Sequence, residues 1–448
     1  MYSLDIFCDV IDNYGDAGVC LHLARTLSSS CKVRLFCNNM QVLGTLVTDS
    51  DRDSSTLSLV SWENPPQSYD PADAVISAFN CRFDSTVLSA LQQHRSSLII
   101  NLDYLSAESW VEDCHKIPSF VDGLEVYYYF PGFTARTGGL NIDSTFRAQC
   151  LQRLQNAPLT SSSSPCPSQS GQQLQPPQLR QHTQLMQQPQ SQAALWPSDA
   201  NEIARTITLF GYENDAVGAF IDACSRSRRR TEITVFAGLA QDNLRRLYGQ
   251  NFAPGTITAV NDRVSITCSP MVTHEHYDQI LLNHDFNLVR GEDSIVRAMH
   301  TGIPFLWHIY PQDEQAHITK LKSFLERMEQ INLEIAGTFS HRDTRPGELH
   351  SAQSTGCPDS PLEHSPACAM NRSAFVSVSN EDVRKGMELI SSTMLAYNGG
   401  APWDDSFDLD GFIACTAPLY HNFALYLCSQ RSLTETLMDF INEKLASR

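Results

Sequence analysis

The chain has 448 residues, 42% of them hydrophobic, with a formal charge of −18 at pH 7 and a pI near 5.1. That length carries two or three domains, each able to bury its own core. The acidic balance argues against a protein that lives on nucleic acid or on an anionic membrane, and no stretch reaches the roughly 20 apolar residues that span a bilayer.

The chain opens with a strand, Leu4–Val10, that lacks the basic flank of a signal peptide. A polar turn follows, then a helix over Asp16–Leu27 with Val19, Leu23, Ala24 and Leu27 at helical spacing. Apolar runs at Lys32–Cys37, Leu57–Val60, Ala74–Ala78 and Leu98–Leu102 alternate with polar or helical stretches such as Ser85–His94. Strands alternating with helices imply a mainly parallel sheet covered on both faces.

Residues 154–198 are dominated by Gln, Ser and Pro and read as a disordered insertion or linker, since nothing there offsets the entropy of ordering. Alternation then resumes with strands Thr206–Phe210, Thr231–Ala237 and Val264–Ser269. Each precedes a helix, near Asp215–Ser225, Gln241–Tyr248 and Glu275–Asn283. Residues 337–372 lack periodicity and read as a flexible insertion, followed by a helix near Asn380–Tyr397. Ser432 and Glu435 form a capping box ahead of a last helix. The expected organisation is therefore an N-terminal Rossmann-like domain over 1–153 and a second over 199–430. Residues 431–448 form a C-terminal helix that packs back on the first domain.

None of the 14 cysteines forms a C-x-x-C pair, and Cys8, Cys20, Cys37, Cys268 and Cys415 sit in apolar runs. They read as core residues of a reducing, cytoplasmic protein. The run Arg226, Arg228, Arg229 and Arg230 reads as a solvated helix end.

Three segments carry candidate chemistry. In VIDNYGDAGVCLHLARTL, Asp12 ends the first strand and Asp16 starts the next helix, with Asn13, Tyr14, Gly15 and Gly18 between and beside them. One reading makes Asp16 a helix cap on the favourable dipole end; the other turns both carboxylates toward a cleft. The segment lacks the G-x-G-x-x-G of a dinucleotide site. In LFGYEN, Gly211 permits close approach, and Tyr212 is either a packing aromatic or a hydroxyl for an anion. The third segment, NLVRGEDSIVRAMHTGIPFLWHIYPQ, reads as a strand, a polar loop and a helix. The loop brings Arg290, Gly291, Glu292, Asp293 and Ser294 to the helix start, where free N–H groups seat phosphate. Arg290 can add a bidentate phosphate contact and Glu292 can accept from sugar hydroxyls, although a local ion pair between them is equally open. His308 and His317, or His274 and His276, have no companions at metal-ligand spacing, so no metal is expected.

The first and third of these segments resemble the EarP family, protein-arginine rhamnosyltransferases that modify bacterial elongation factor P. The resemblance covers the chain apart from the two composition breaks. It implies a GT-B glycosyltransferase fold, two Rossmann-like domains facing across a cleft. It further implies dTDP-β-L-rhamnose as donor in the C-terminal domain, a loop arginine of elongation factor P as acceptor on the N-terminal domain, and inversion at the anomeric carbon. Matched motif to motif, the family's essential carboxylates fall on Asp12, Asp16 and Glu292, with Asn13 and Tyr14 beside the acceptor. Donor-binding positions fall on Phe210, Tyr212, Arg290, Gly291, Asp293 and Ser294, and Gln312 is expected at the sugar hydroxyls. Where the family holds the thymine with an aromatic and, three residues on, Gln, this chain has Met271 and His274.

The residue types suit such chemistry. A guanidinium is permanently protonated and a poor nucleophile, and a carboxylate pair can hold it and take its proton. Asp16 is the leading base, Asp12 the orienting group and Glu292 a donor-orienting group. No metal or cofactor, nucleic acid or membrane is called for. The alternatives are a GT-B transferase or epimerase using another nucleotide sugar, and a non-catalytic binding protein of the same fold.

Overall fold

The computed structural model describes residues 2–11, 14–62, 68–156, 203–340 and 374–447. Asp12, Asn13 and most of both composition breaks lie outside the described residues. In the first half, β1 (Ser3–Cys8) leads into α1 (Tyr14–Leu27), β2 (Lys32–Cys37), α2 (Met40–Leu46), α3 (Asp49–Arg52), β3 (Leu57–Ser61) and β4 (Ala74–Ala78). Then come α4 (Ser85–Gln93), β5 (Leu98–Leu102), α5 (Trp110–Cys114), β6 (Pro118–Val121), β7 (Leu124–Tyr129) and α6 (Ser144–Asn156). The second half runs β8 (Arg205–Leu209), α7 (Ala216–Arg226), β9 (Thr231–Phe236), α8 (Leu239–Tyr248), β10 (Ile257–Ala259), β11 (Val264–Ser269) and α9 (His274–Asn283). It continues with β12 (Phe286–Arg290), α10 (Gly291–Thr301) and β13 (Phe305–His308). Four helices close the chain: α11 (Ala316–Ser340), α12 (Asn380–Tyr397), α13 (Leu409–Ser429) and α14 (Leu433–Ala446).

The composition of each element explains its place. β4 and β5 read AVISA and LIINL and are buried along their whole length, as parallel strands covered on both faces must be. α7 buries Val217, Phe220, Ile221 and Cys224 on one stripe at helical spacing.

The strands form two sheets, ordered β3-β2-β1-β4-β5-β7-β6 and β10-β11-β9-β8-β12-β13. All pairings are parallel except at β6 and β10, each antiparallel to its neighbour. In both sheets the chain winds outward from its first strand and then restarts on that strand's other side, between β1 and β4 and between β8 and β12. Such switch points open a crevice beyond the carboxyl ends of the strands. Leu288 pairs with Leu209, and Arg290 with His308, so Phe210 and Arg290 leave the second sheet at its crevice. This is the GT-B glycosyltransferase arrangement of two Rossmann-like α/β halves.

Two helices cross between the halves. α6 follows the first sheet in sequence, yet Phe146, Cys150 and Leu154 pack in the core of the second. At the other end, Leu433 N–H donates to Leu140 O at 2.8 Å. α14 then lays Leu433, Leu437, Phe440 and Ile441 into the core around β1, β4 and β5.

Candidate active site

The second half supplies one wall of the site. The polar loop expected at 290–294 is absent: β12 ends at Arg290 and α10 begins at Gly291. Gly291 has a φ of +61°, a left-handed conformation that a Cβ disfavours, and this lets strand turn into helix without a linker. Glu292, Asp293 and Ser294 therefore form the first turn of α10, whose N–H groups lack intrahelical partners. The Trp307 indole N–H donates to Gly291 O at 3.0 Å and fixes the turn from behind.

Arg290 is only 5% exposed, and among the described residues no carboxylate pairs with it. Its guanidinium instead lies 4.5 Å from the centre of the Phe210 ring and 4.7 Å from that of Tyr212. Ring faces attract a cation but leave its N–H groups unspent. The charge also bears on His308, which burial first and Arg290 second lower to about 3. A neutral His308 accepts the Tyr212 N–H at Nδ1, 3.3 Å away. Beside Arg290 opens a pocket walled by Phe210, Phe236, Met271, His274 and Tyr277 together with residues 290–294.

A buried polar network backs this wall and crosses to the first half. Arg297, 1% exposed, donates to Asp293 Oδ2 at 3.1 Å, to Asp278, and to His22 Nδ1 at 2.9 Å. Burial opposes the Asp293 charge, but Arg297, with His274 and His22 facing it, holds that carboxyl well below its usual range. Asp293 Oδ1 is buried with no partner among the described residues, an acceptor whose desolvation a ligand hydroxyl or water could offset. Burial lowers His274 to about 4. Its Nδ1 lies 3.0 Å from an Arg25 nitrogen; arginine can only donate, so Nδ1 accepts and Nε2 carries the proton. Nε2 sits 3.5 Å from Asp293 Oδ2.

The head of α1 forms the facing wall. Asp16 is 3% exposed and its Oδ2 accepts the Ile11 N–H at 2.8 Å. Tyr14 and Gly15, just before it in the same turn, line the pocket. Glu292 bridges the two walls: Oε2 accepts the Leu105 N–H at 2.9 Å and Oε1 accepts from Lys320 Nζ at 3.0 Å. Burial raises the Glu292 carboxyl; Lys320 and the Leu105 N–H pull it back, and the Asp16 charge pushes it up again.

The structure thus brings Tyr14, Phe210, Met271, His274 and residues 290–294 around one pocket, with Tyr212 stacked behind Arg290. Glu292 and Arg290 do not pair with each other. Gln312 lies apart, on an exposed loop where its backbone N–H meets His317 Nδ1 at 3.1 Å. Sequence reasoning missed Phe236, Tyr277, Leu46 and Lys320; as apolar or isolated residues they carried no signal. Among the described residues no group of His, Cys, Asp and Glu could hold a metal. Nor is any described helix long and apolar enough to cross a membrane.

Residues 4–345 match the model of the family described as Elongation-Factor P (EF-P) rhamnosyltransferase EarP. This chain belongs to the EarP family. A protein-arginine rhamnosyltransferase of Pseudomonas putida is 34% identical over 335 residues, covering 72% of this chain and 80% of the relative. One from Neisseria meningitidis is 30% identical over 333 residues, covering 71% and 77%. A solved structure giving the basis for EarP-mediated arginine glycosylation of translation elongation factor EF-P shares the fold. The TM-score is 0.55 at 19% identity, over 99% of each chain. The chain is accordingly an enzyme of a protein-arginine rhamnosyltransferase family.

Proposed function

We propose that the protein transfers L-rhamnose from dTDP-β-L-rhamnose to a loop arginine of elongation factor P, inverting the anomeric carbon, in the cytoplasm. The observation that carries this reading is a nearly buried guanidinium, Arg290, with no acid paired to it among the described residues, at the head of α10, across the cleft from a buried carboxylate, Asp16, at the head of α1. In this reading one wall suits an anionic diphosphate leaving group and the other a cationic acceptor.

On the donor wall, Arg290 and the first-turn N–H groups of α10 hold the diphosphate. Met271, His274 and Phe210 pack around the base, and Asp293 accepts from a hydroxyl. On the acceptor wall, Asp12 and Asp16 hold the guanidinium, with Asn13 and Tyr14 alongside. The guanidinium nitrogen attacks the anomeric carbon from the face opposite the diphosphate, whose C–O bond breaks. Asp16 takes the proton that the nitrogen sheds. The charge that builds on the diphosphate falls to Arg290, Ser294 and the α10 amides, already oriented and partly dry. Each of these tasks falls to side chains or backbone groups, so the reading requires neither metal nor cofactor.

Mixing the protein with dTDP-β-L-rhamnose and elongation factor P should add one deoxyhexose to a single loop arginine, read by intact and fragment mass spectrometry. Asp16→Asn should abolish the gain while dTDP still binds. Turnover of another nucleotide sugar, with no mass gain on the factor, would sink the reading in favour of a different donor.

A further inference from the structure

Glu292 lines the pocket, yet both of its oxygens are engaged by groups from elsewhere, one of them the ammonium of Lys320. Lys320 lies on α11, just past the end of the third candidate segment and outside every motif that carried candidate chemistry. Its side chain is 18% exposed and that of Glu292 17%, so the pair is largely desolvated and differs from a rim salt bridge. The ammonium also sits 5.4 Å from the centre of the Tyr104 ring on the facing half. That ring stacks on Phe79 at 4.3 Å with the planes 12° apart.

Phe79 and Asn80 both have left-handed backbones, φ 58° and 56°. For a bulky residue such as Phe this is a strained conformation, which persists only where the surroundings hold it. The holding contacts are on hand: Phe79 N–H donates to Leu102 O at 2.7 Å and Asn80 N–H to Asn101 Oδ1 at 3.1 Å. The first half thus holds a strained aromatic platform beneath a cation borne by the second. Asp103, next to Tyr104, feels the Lys320 charge as well.

We propose that Lys320 is a positioning residue for the transfer reaction, pinning Glu292 against the end of β5 and setting the distance between the donor and acceptor walls. The proposal rests on the reading given under Proposed function. The charged groups facing Glu292 are Asp16 from α1, Lys320 from α11 and, beyond it, Asp103 after β5; Arg290 and Asp293 flank it on its own wall. Of these, the Asp16 charge repels it. Lys320 is the cation that reaches it from outside that wall. Without Lys320, Glu292 is a buried carboxylate facing the Asp16 charge, and it takes a proton or turns away.

The test is the pH profile of kcat/KM for rhamnosyl transfer to elongation factor P, with dTDP binding and thermal unfolding measured alongside. In Lys320→Met the acid limb should move up by about one pH unit, roughly a tenfold loss on that limb. dTDP affinity should stay unchanged because the Arg290 seat is untouched, and Lys320→Arg should restore the limb. Lys320→Gln serves if the Met variant does not fold. A variant profile that superimposes on wild type, or one lowered uniformly at every pH, overturns the positioning role alone. A wild-type protein that fails to transfer rhamnose overturns the functional reading beneath it.

Discussion

At the scale of single residues, the site rests on charges placed where water cannot satisfy them. Arg290 has ring faces on two sides and, among the described residues, no acid, so its hydrogen-bonding capacity is open to a ligand. Hydrogen bonds to charged groups contribute about 1.5–3 kcal/mol each. Arg290→Gln should therefore weaken dTDP binding roughly tenfold to a hundredfold by calorimetry, with little change in the melting temperature. Arg290→Lys should also lose affinity, because an ammonium neither stacks on two rings nor forks onto a diphosphate. Residue types made Arg290, Glu292 and Asp293 legible in the sequence, but not their partners. The open possibility of an Arg290–Glu292 ion pair gives way to two separate arrangements, one stacked on rings and the other tied to Leu105 and Lys320. Gln312 carried the right chemistry too, but its side of the loop faces solvent.

At the scale of elements, the turn from β12 into α10 sets how the amides of α10 meet the pocket. A left-handed backbone at a residue with a Cβ costs about 1–2 kcal/mol. Gly291→Ala should lower the unfolding free energy by about that much, read as a lower denaturant midpoint at unchanged slope. It should also weaken dTDP binding, because relief of the strain rotates the first turn; full affinity together with lost stability would show that the turn does not orient the seat. Strands with continuous apolar runs and helices with one apolar stripe were readable in advance. The hairpin β6–β7 was not, despite Asp122 and Gly123 in left-handed conformation at its turn, because exposed Phe120 and Val121 spoil the alternation. α13 was missed for the opposite reason: from Leu419 to Leu425 every residue is buried, so no amphipathic period marks it.

At the scale of the whole molecule, the halves meet through a polar network as well as through the two crossing helices. His22 and His274 of that network are buried and neutral, the first held well below its usual pKa and the second at about 4. Above pH 6.5 both rings are neutral whether the chain is folded or not, and they add no pH dependence. As pH falls from 6.5 toward 4, the unfolded chain takes up protons that the folded one refuses, so stability declines. Urea midpoints across that window should drop with falling pH in the wild type and drop less in a His22→Gln/His274→Gln variant. Equal slopes would mean that the two rings are not the groups responsible.

Sequence alone determined the alternation of strands and helices, the two carboxylate- and arginine-bearing turns, and through their motifs the family, because those features are local. A strand, a helix stripe and a strand-to-helix turn each lie within a few consecutive residues. Tertiary structure decided that the turns face each other at two switch points, that α6 and α14 exchange halves, and that Lys320 and Tyr104 meet across the cleft. Those contacts join residues far apart in the chain, and only packing of the two cores specifies them.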